Sequence, residues 1–252
     1  MTKSRKEILE INPAFSKFIL ELQLSYKPEP FEEGDRVDSV SFNLEGDDEG
    51  IAILTKETAK KLTIEQNEEF EKNRDKNPFS NPINLDFIES RLIISSKKKS
   101  EDYLNDIARA FEQIRIELNE SDLIVLGVEN IPWLFQENDY QPVKKALNYL
   151  KGKIDIDFNG GFLLREESLL EFIPHLFWLT RCNASLTYFY MSFPNAKTMI
   201  SICKYGVLHF EFYDQEEKLK ILKLLSDQNF KELDECGDPI EFDNFDGRRI
   251  KI

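Results

Sequence analysis

The sequence predicts an α+β or α/β fold, with a mixed, largely antiparallel sheet and helices packed against it. Three observations carry that prediction. Short runs rich in Val, Ile, Tyr and Phe alternate with longer segments of helical periodicity. Pro, Asn and Gly breaks separate them at close intervals. Apolar residues make up 41% of the 252 positions, with 20 Phe among them, which is enough to build a sizeable core.

Residues 1–36 fit either helix or strand over 6–11 and 15–24, until Pro28 and Pro30 break the pattern. Residues 37–44 alternate, so a strand is expected with Val40, Phe42 and Leu44 inward. The Gly- and Asp-rich turn at 45–50 should return the chain as a second strand at 51–54. Residues 57–75 are rich in Glu, Lys and Gln, the pattern of a mostly exposed helix. Asn77-Pro78 and Asn81-Pro82 then interrupt any regular structure. They mark a boundary between an N-terminal hairpin-plus-helix module, 1–76, expected to pack on the main body, and a main α/β domain, 83–252.

In that domain, 83–95 reads as strand. Ser100 reads as the N-cap of a helix whose buried face runs through Tyr103, Leu104, Ile107, Ala108, Phe111, Ile114 and Leu118. Residues 123–128 form a buried-type strand. Residues 141–150 form a helix with Pro142 in its first turn. Residues 154–164 read as strand with a bend at Gly160-Gly161, 166–182 as an apolar helix and 186–193 as strand. A hairpin over 198–204 and 207–213 should turn at Tyr205-Gly206, ahead of an amphipathic helix at 216–228. The end, 240–252, could close as a last hairpin. The pattern I-x-[LI]-D-F occurs at Ile83–Phe87 and again at Ile154–Phe158, each time ahead of strand, helix, strand and helix. It raises the possibility of a weak internal repeat of two similar β-α-β-α halves, 83–150 and 154–228.

Composition limits function. A net charge of −14 repels nucleic acid and anionic membranes, because both are bound chiefly through Lys and Arg. No nucleic-acid or membrane partner is therefore expected. No apolar run approaches the roughly 20 residues that span a bilayer, and the N-terminus lacks a signal-type apolar core, so a cytoplasmic location is expected. The three cysteines, Cys182, Cys203 and Cys236, are odd in number and widely spaced. Neither a disulfide framework nor a zinc site is expected from that pattern, and no cofactor is implied.

Few residues suggest chemistry. Asp155 and Asp157 on one strand would share a face and could hold a divalent metal in an enzyme acting on phosphate esters. The upstream Gly-Ser phosphate loop of such sites is missing, and solvated carboxylates are the plainer reading. His175 and Cys182 lie two helical turns apart, too far for a dyad. A two-residue turn at Tyr205-Gly206 pairs Cys203 with Leu208 and Ile202 with His209. That register puts Cys203 on the core face and His209 on the other, which disfavours a dyad there too.

Charge is more informative. Glu211–Asp246 holds twelve acids against four bases, over half the net charge of the chain. Within it, Asp234, Glu235, Asp238, Glu241, Phe242, Asp243, Phe245 and Asp246 combine acids with aromatics, as an interface to a basic protein partner would. The expectation is a non-enzymatic acidic binding protein, with no catalytic residues. Small acidic immunity proteins that neutralise a toxin in bacterial competition have this character by composition alone. A scaffold or regulatory subunit would share it.

Overall fold

The computed structural model describes residues 1–45, 47, 50–81, 83–96, 100–134, 137–182, 186 and 188–236. Backbone contacts divide them into two compact units: Met1–Ile19 together with Lys76–Ile252, and Leu20–Asp75.

The larger unit is an α+β fold built on an eight-stranded sheet, every neighbouring pair antiparallel. Its strands are β1 (Thr2–Lys3), β4 (Glu89–Ser95), β5 (Leu123–Gly127), β6 (Gly161–Leu164), β7 (Phe189–Ser192), β8 (Thr198–Ile202), β9 (Leu208–Phe212) and β10 (Phe230–Leu233). The order across the sheet is β1-β6-β5-β7-β8-β9-β4-β10. Helices α4 (Ser100–Glu117), α5 (Gln141–Lys151), α6 (Glu166–Cys182) and α7 (Gln215–Asp227) supply one covering layer. Within it, α6 packs on α4 and α5, and α4 on α7. Their apolar stripes meet alternate strand residues, Leu123, Val125, Phe162, Met191, Ile200, Phe210 and Phe212 among them, in one core. The opposite face is covered in part by α1 (Arg5–Leu9), which lies against β5 and β6, and by the start of α2 (Pro13–Ser25). There Phe18 packs edge-on to Tyr190 and Tyr213. Burial of alternate residues on both faces explains why β5 is apolar throughout.

Several expected strands are shorter in the structure. Residues 83–88 are irregular ahead of β4, and 154–160 ahead of β6. In the second case the chain uses its polar groups locally. The Ile154 amide still donates to Leu150 O behind α5, and Phe158 N–H turns back to Asp155 O. Gly160 and Gly161 lie where neighbouring backbone closes in. A Cβ on Gly160 would fall 2.1 Å from the Lys3 carbonyl oxygen, and one on Gly161 2.5 Å from that of Val125. Strands β1 and β10 were not foreseen. Ser100 is the first residue of α4, and the residues before it lie outside those described. The two expected halves also differ in topology: β4 and β5 have three strands between them, whereas only β5 separates β6 from β7. Among the described residues, no helix is long and apolar enough to cross a membrane.

The smaller unit contains the antiparallel pair β2 (Arg36–Asp38) and β3 (Ile51–Ile53), followed by α3 (Lys56–Asn73), which Thr55 caps. Leu54, Ala59 and Leu62 form its core, with Phe31, Val37 and Leu44 packed on them. The first strand ends at Asp38, and turns follow it, so Val40 is 84% exposed rather than inward. Phe42 sits at the margin, edge-on to Phe31.

Candidate functional site

The site is built on the β8–β9 hairpin. Its observed register pairs Ile202 with Leu208 and Ser201 with His209, and Cys203 N–H donates to Val207 O at 3.1 Å. The loop therefore has three residues, Lys204 to Gly206, not two. Gly206 N–H closes it onto Cys203 O at 2.8 Å, with Gly206 at φ +82°. A turn followed by a left-handed glycine is the common form of three-residue hairpin loop.

This difference of one residue leaves the faces of β9 as expected and reverses those of β8 and Cys203. Ile200, Ile202, Leu208, Phe210 and Phe212 point into the helix-covered core. Ser201, His209 and Glu211 point the other way, and the Cys203 thiol joins them within hydrogen-bonding reach of His209. The expectation against a Cys203–His209 pair is thereby overturned.

Other elements hold the hairpin tip in place. The Tyr103 hydroxyl of α4 donates to Gly206 O, and Arg181 Nη1 of α6 donates to Lys204 O at 2.8 Å. A Cβ on Gly206 would lie 2.9 Å from the Phe177 ring and 3.0 Å from Tyr103 Oη.

A third donor arrives from the far sheet edge. Leu233 of β10 pairs with Leu92 of β4, which pairs with His209. The chain runs on from this rung for three residues and brings Cys236 back over the hairpin. Its Sγ lies 3.4 Å from His209 Nε2 and 3.6 Å from Cys203 Sγ. All three donor atoms lie within 4.8 Å of one another. They line a cleft of about 460 Å³ with Tyr188, Tyr190, Ser201 and Tyr205.

The two thiols are inequivalent. Burial raises the Cys203 thiol. Hydrogen bonds from His209, from the Tyr205 and Val207 amides and from Cys236 outweigh that, leaving it below the ordinary cysteine value. Cys236 is pushed up to about 11 by burial, by its hydrogen bond to Cys203 and by negative charge on Cys203. Half-buried Cys203 is therefore the more acidic thiol of the pair and exposed Cys236 the less acidic. Further along the same face, Glu211 accepts hydrogen bonds from the Tyr190 and Tyr213 hydroxyls, both at 3.3 Å.

The other predicted residues fall elsewhere. Asp155 and Asp157 lie in the turn after α5, exposed, with Ile156 between them 75% exposed. No strand gives them a common face, so the geometric reason for a metal there is gone. His175 stacks on Tyr149 with ring centroids 4.3 Å apart, and burial lowers its pKa. Asp234 and Glu235 are exposed directly after β10. Asp238, Glu241, Phe242, Asp243, Phe245 and Asp246 lie outside the described residues, as does the expected last hairpin. Cys236 was missed because nothing in its spacing links it to residues 203 and 209. Lys204-Tyr205-Gly206, with glycine third, was the available signal for the correct register. Comparison with family models, curated proteins and solved structures gives no match.

Proposed function

We propose that this chain is a non-enzymatic binding protein of the cytoplasm that docks a basic protein through its acid-rich end. The observation that carries the reading is the charge of Glu211–Asp246, twelve acids against four bases. Two of those acids, Asp234 and Glu235, stand exposed where the chain leaves β10, the last strand of the sheet among the described residues. Opposite charge steers encounter and sets orientation, while buried aromatics supply most of the affinity. Phe242 and Phe245 stand among the acids in the sequence as candidates for that second role. A toxin held inactive by such a protein is one partner of this chemistry, and a scaffolded or regulated enzyme is another.

The test is capture from the native cell, comparing wild type with a charge-neutralised variant: Asp234→Asn, Glu235→Gln, Asp238→Asn, Glu241→Gln, Asp243→Asn and Asp246→Asn. Wild type should retain a stoichiometric basic protein at low salt and release it as salt rises. The variant should not retain it. Equal capture by both, or no stoichiometric partner for either, rejects the reading.

A further inference from the structure

We propose that Cys203, His209 and Cys236 form a Zn²⁺ site that ties the start of the acid-rich end to the sheet. Two sulfurs and one imidazole nitrogen are the donors that zinc takes in preference to magnesium or calcium, which favour oxygen. The distances fit as well. With Zn–S of about 2.3 Å and Zn–N of about 2.0–2.1 Å, a tetrahedral ion holds two sulfurs about 3.8 Å apart and a sulfur and a nitrogen about 3.6 Å apart. The corresponding separations are 3.6 Å and 3.4 Å. Both edges that meet at Cys236 thus match to a few tenths of an ångström, and the third, between Cys203 and His209, lies within 4.8 Å.

The surroundings support the same reading. Two of the donors project from a hairpin whose tip is held by Tyr103 and Arg181, so they are set in position before any ion arrives. The Tyr205 and Val207 amides hydrogen-bond to the Cys203 sulfur, the outer-shell support that orients a metal-bound thiolate. Three protein ligands leave a fourth coordination position, open to the cleft that the donors line. Zinc sites with that arrangement exchange water or ligand there, unlike closed four-ligand structural sites.

The placement of Cys236 has a consequence. Cys203, directly after β8, and His209 of β9 sit on one hairpin and are joined without metal. Cys236 follows Asp234 and Glu235 and is exposed. Zinc would fasten this arm across β4 and onto β9, so loading would govern how the acids of residues 234 and 235 are presented. The site itself does not depend on the docking function proposed above.

The experiment uses the full chain, reduced, stripped with chelator and titrated with Co²⁺. One equivalent should produce a sulfur-to-cobalt charge-transfer band and the intense visible bands of tetrahedral cobalt, and one equivalent of Zn²⁺ should abolish both. Cys236→Ser and His209→Ala should each weaken zinc binding by at least about a hundredfold. Cys182→Ser should bind as wild type does. Cys236 is exposed, so its variant should keep the fold, which circular dichroism checks. No stoichiometric metal in the reduced wild type overturns the proposal. So does unchanged affinity in a folded Cys236→Ser protein.

Discussion

The β8–β9 hairpin presents two faces made from the same ten strand residues. One buries Ile200, Ile202, Leu208, Phe210 and Phe212 beneath helices. The other carries Ser201, His209 and Glu211, half-buried and polar, with the Cys203 thiol beside them. The first face is held by packing and tolerates little change in volume. The second spends its side chains on hydrogen bonds around a cleft. Strand alternation allows this division of labour, because neighbouring residues answer to different environments.

The contrast can be broken most severely from the packed side. Phe210 is fully buried and stacked on Phe212, with centroids 5.7 Å apart. Phe210→Ala should cost about 3–5 kcal/mol in chemical denaturation. A loss under about 1 kcal/mol would mean that this face is not core.

Next comes the loop that joins the two strands. Gly206→Ala meets both a left-handed backbone and the Phe177 and Tyr103 side chains. It should cost about 1–3 kcal/mol and weaken zinc binding, because the hairpin tip must move. Weakened stability with unchanged zinc affinity would show that tip position and site geometry are separable.

On the polar face the expectation inverts. Cys236→Ser should change the stability of the metal-free protein by less than about 0.5 kcal/mol, as an exposed substitution does. It should nevertheless remove the rise in melting temperature that zinc gives wild type. Mg²⁺ should shift neither protein, since Asp155 and Asp157 share no strand face.

The smallest effect belongs to the far end of β8, where carboxylates rather than thiols hold the backbone. Glu217 accepts from Lys197 N–H and the Thr198 hydroxyl, and Glu120 accepts from Asn195. Burial raises both carboxyls above the ordinary value, against those hydrogen bonds. Asp214 adds to the shift at Glu217, and Lys197 opposes it. A raised folded-state pKa contributes stability below the unfolded value, and that stability is lost as pH rises through the folded value. These two carboxyls should therefore contribute a modest rise in melting temperature from pH 7 to pH 5, while His175, with its lowered pKa, contributes a fall over the same range. The rise should shrink in the Glu120→Gln, Glu217→Gln double variant.

Much of the fold was legible in the sequence where the signal is local. The stripe from Tyr103 to Ile114 marked α4, and the apolar run at 123–128 marked β5, because burial writes itself into residue spacing. The hairpin was legible as well. Its register was only weakly so, since a two-residue and a three-residue loop around Tyr205-Gly206 are told apart locally by the glycine in third place alone. That single step decided whether Cys203 faced the core or His209.

Other misreadings share the cause. Residues 83–87 and 154–158 carry strand-like alternation, yet neither segment pairs, because a strand exists only where a neighbour accepts its hydrogen bonds. Thr2–Lys3 and Phe230–Leu233 have little strand signal and pair because β6 and β4 offer free edges. Helices α3 to α7, the buried central strands and the concentration of acid toward one end were readable from the sequence, since each depends on residues near in the chain, whereas α1 and α2 fitted helix and strand alike. The tertiary structure alone decided the edge strands, the hairpin register and the meeting of Cys203, His209 and Cys236. The edge strands join residues as distant in the chain as Thr2 and Phe162, and the site brings Cys203 and Cys236, 33 residues apart, within 4 Å; no local pattern records such a distance.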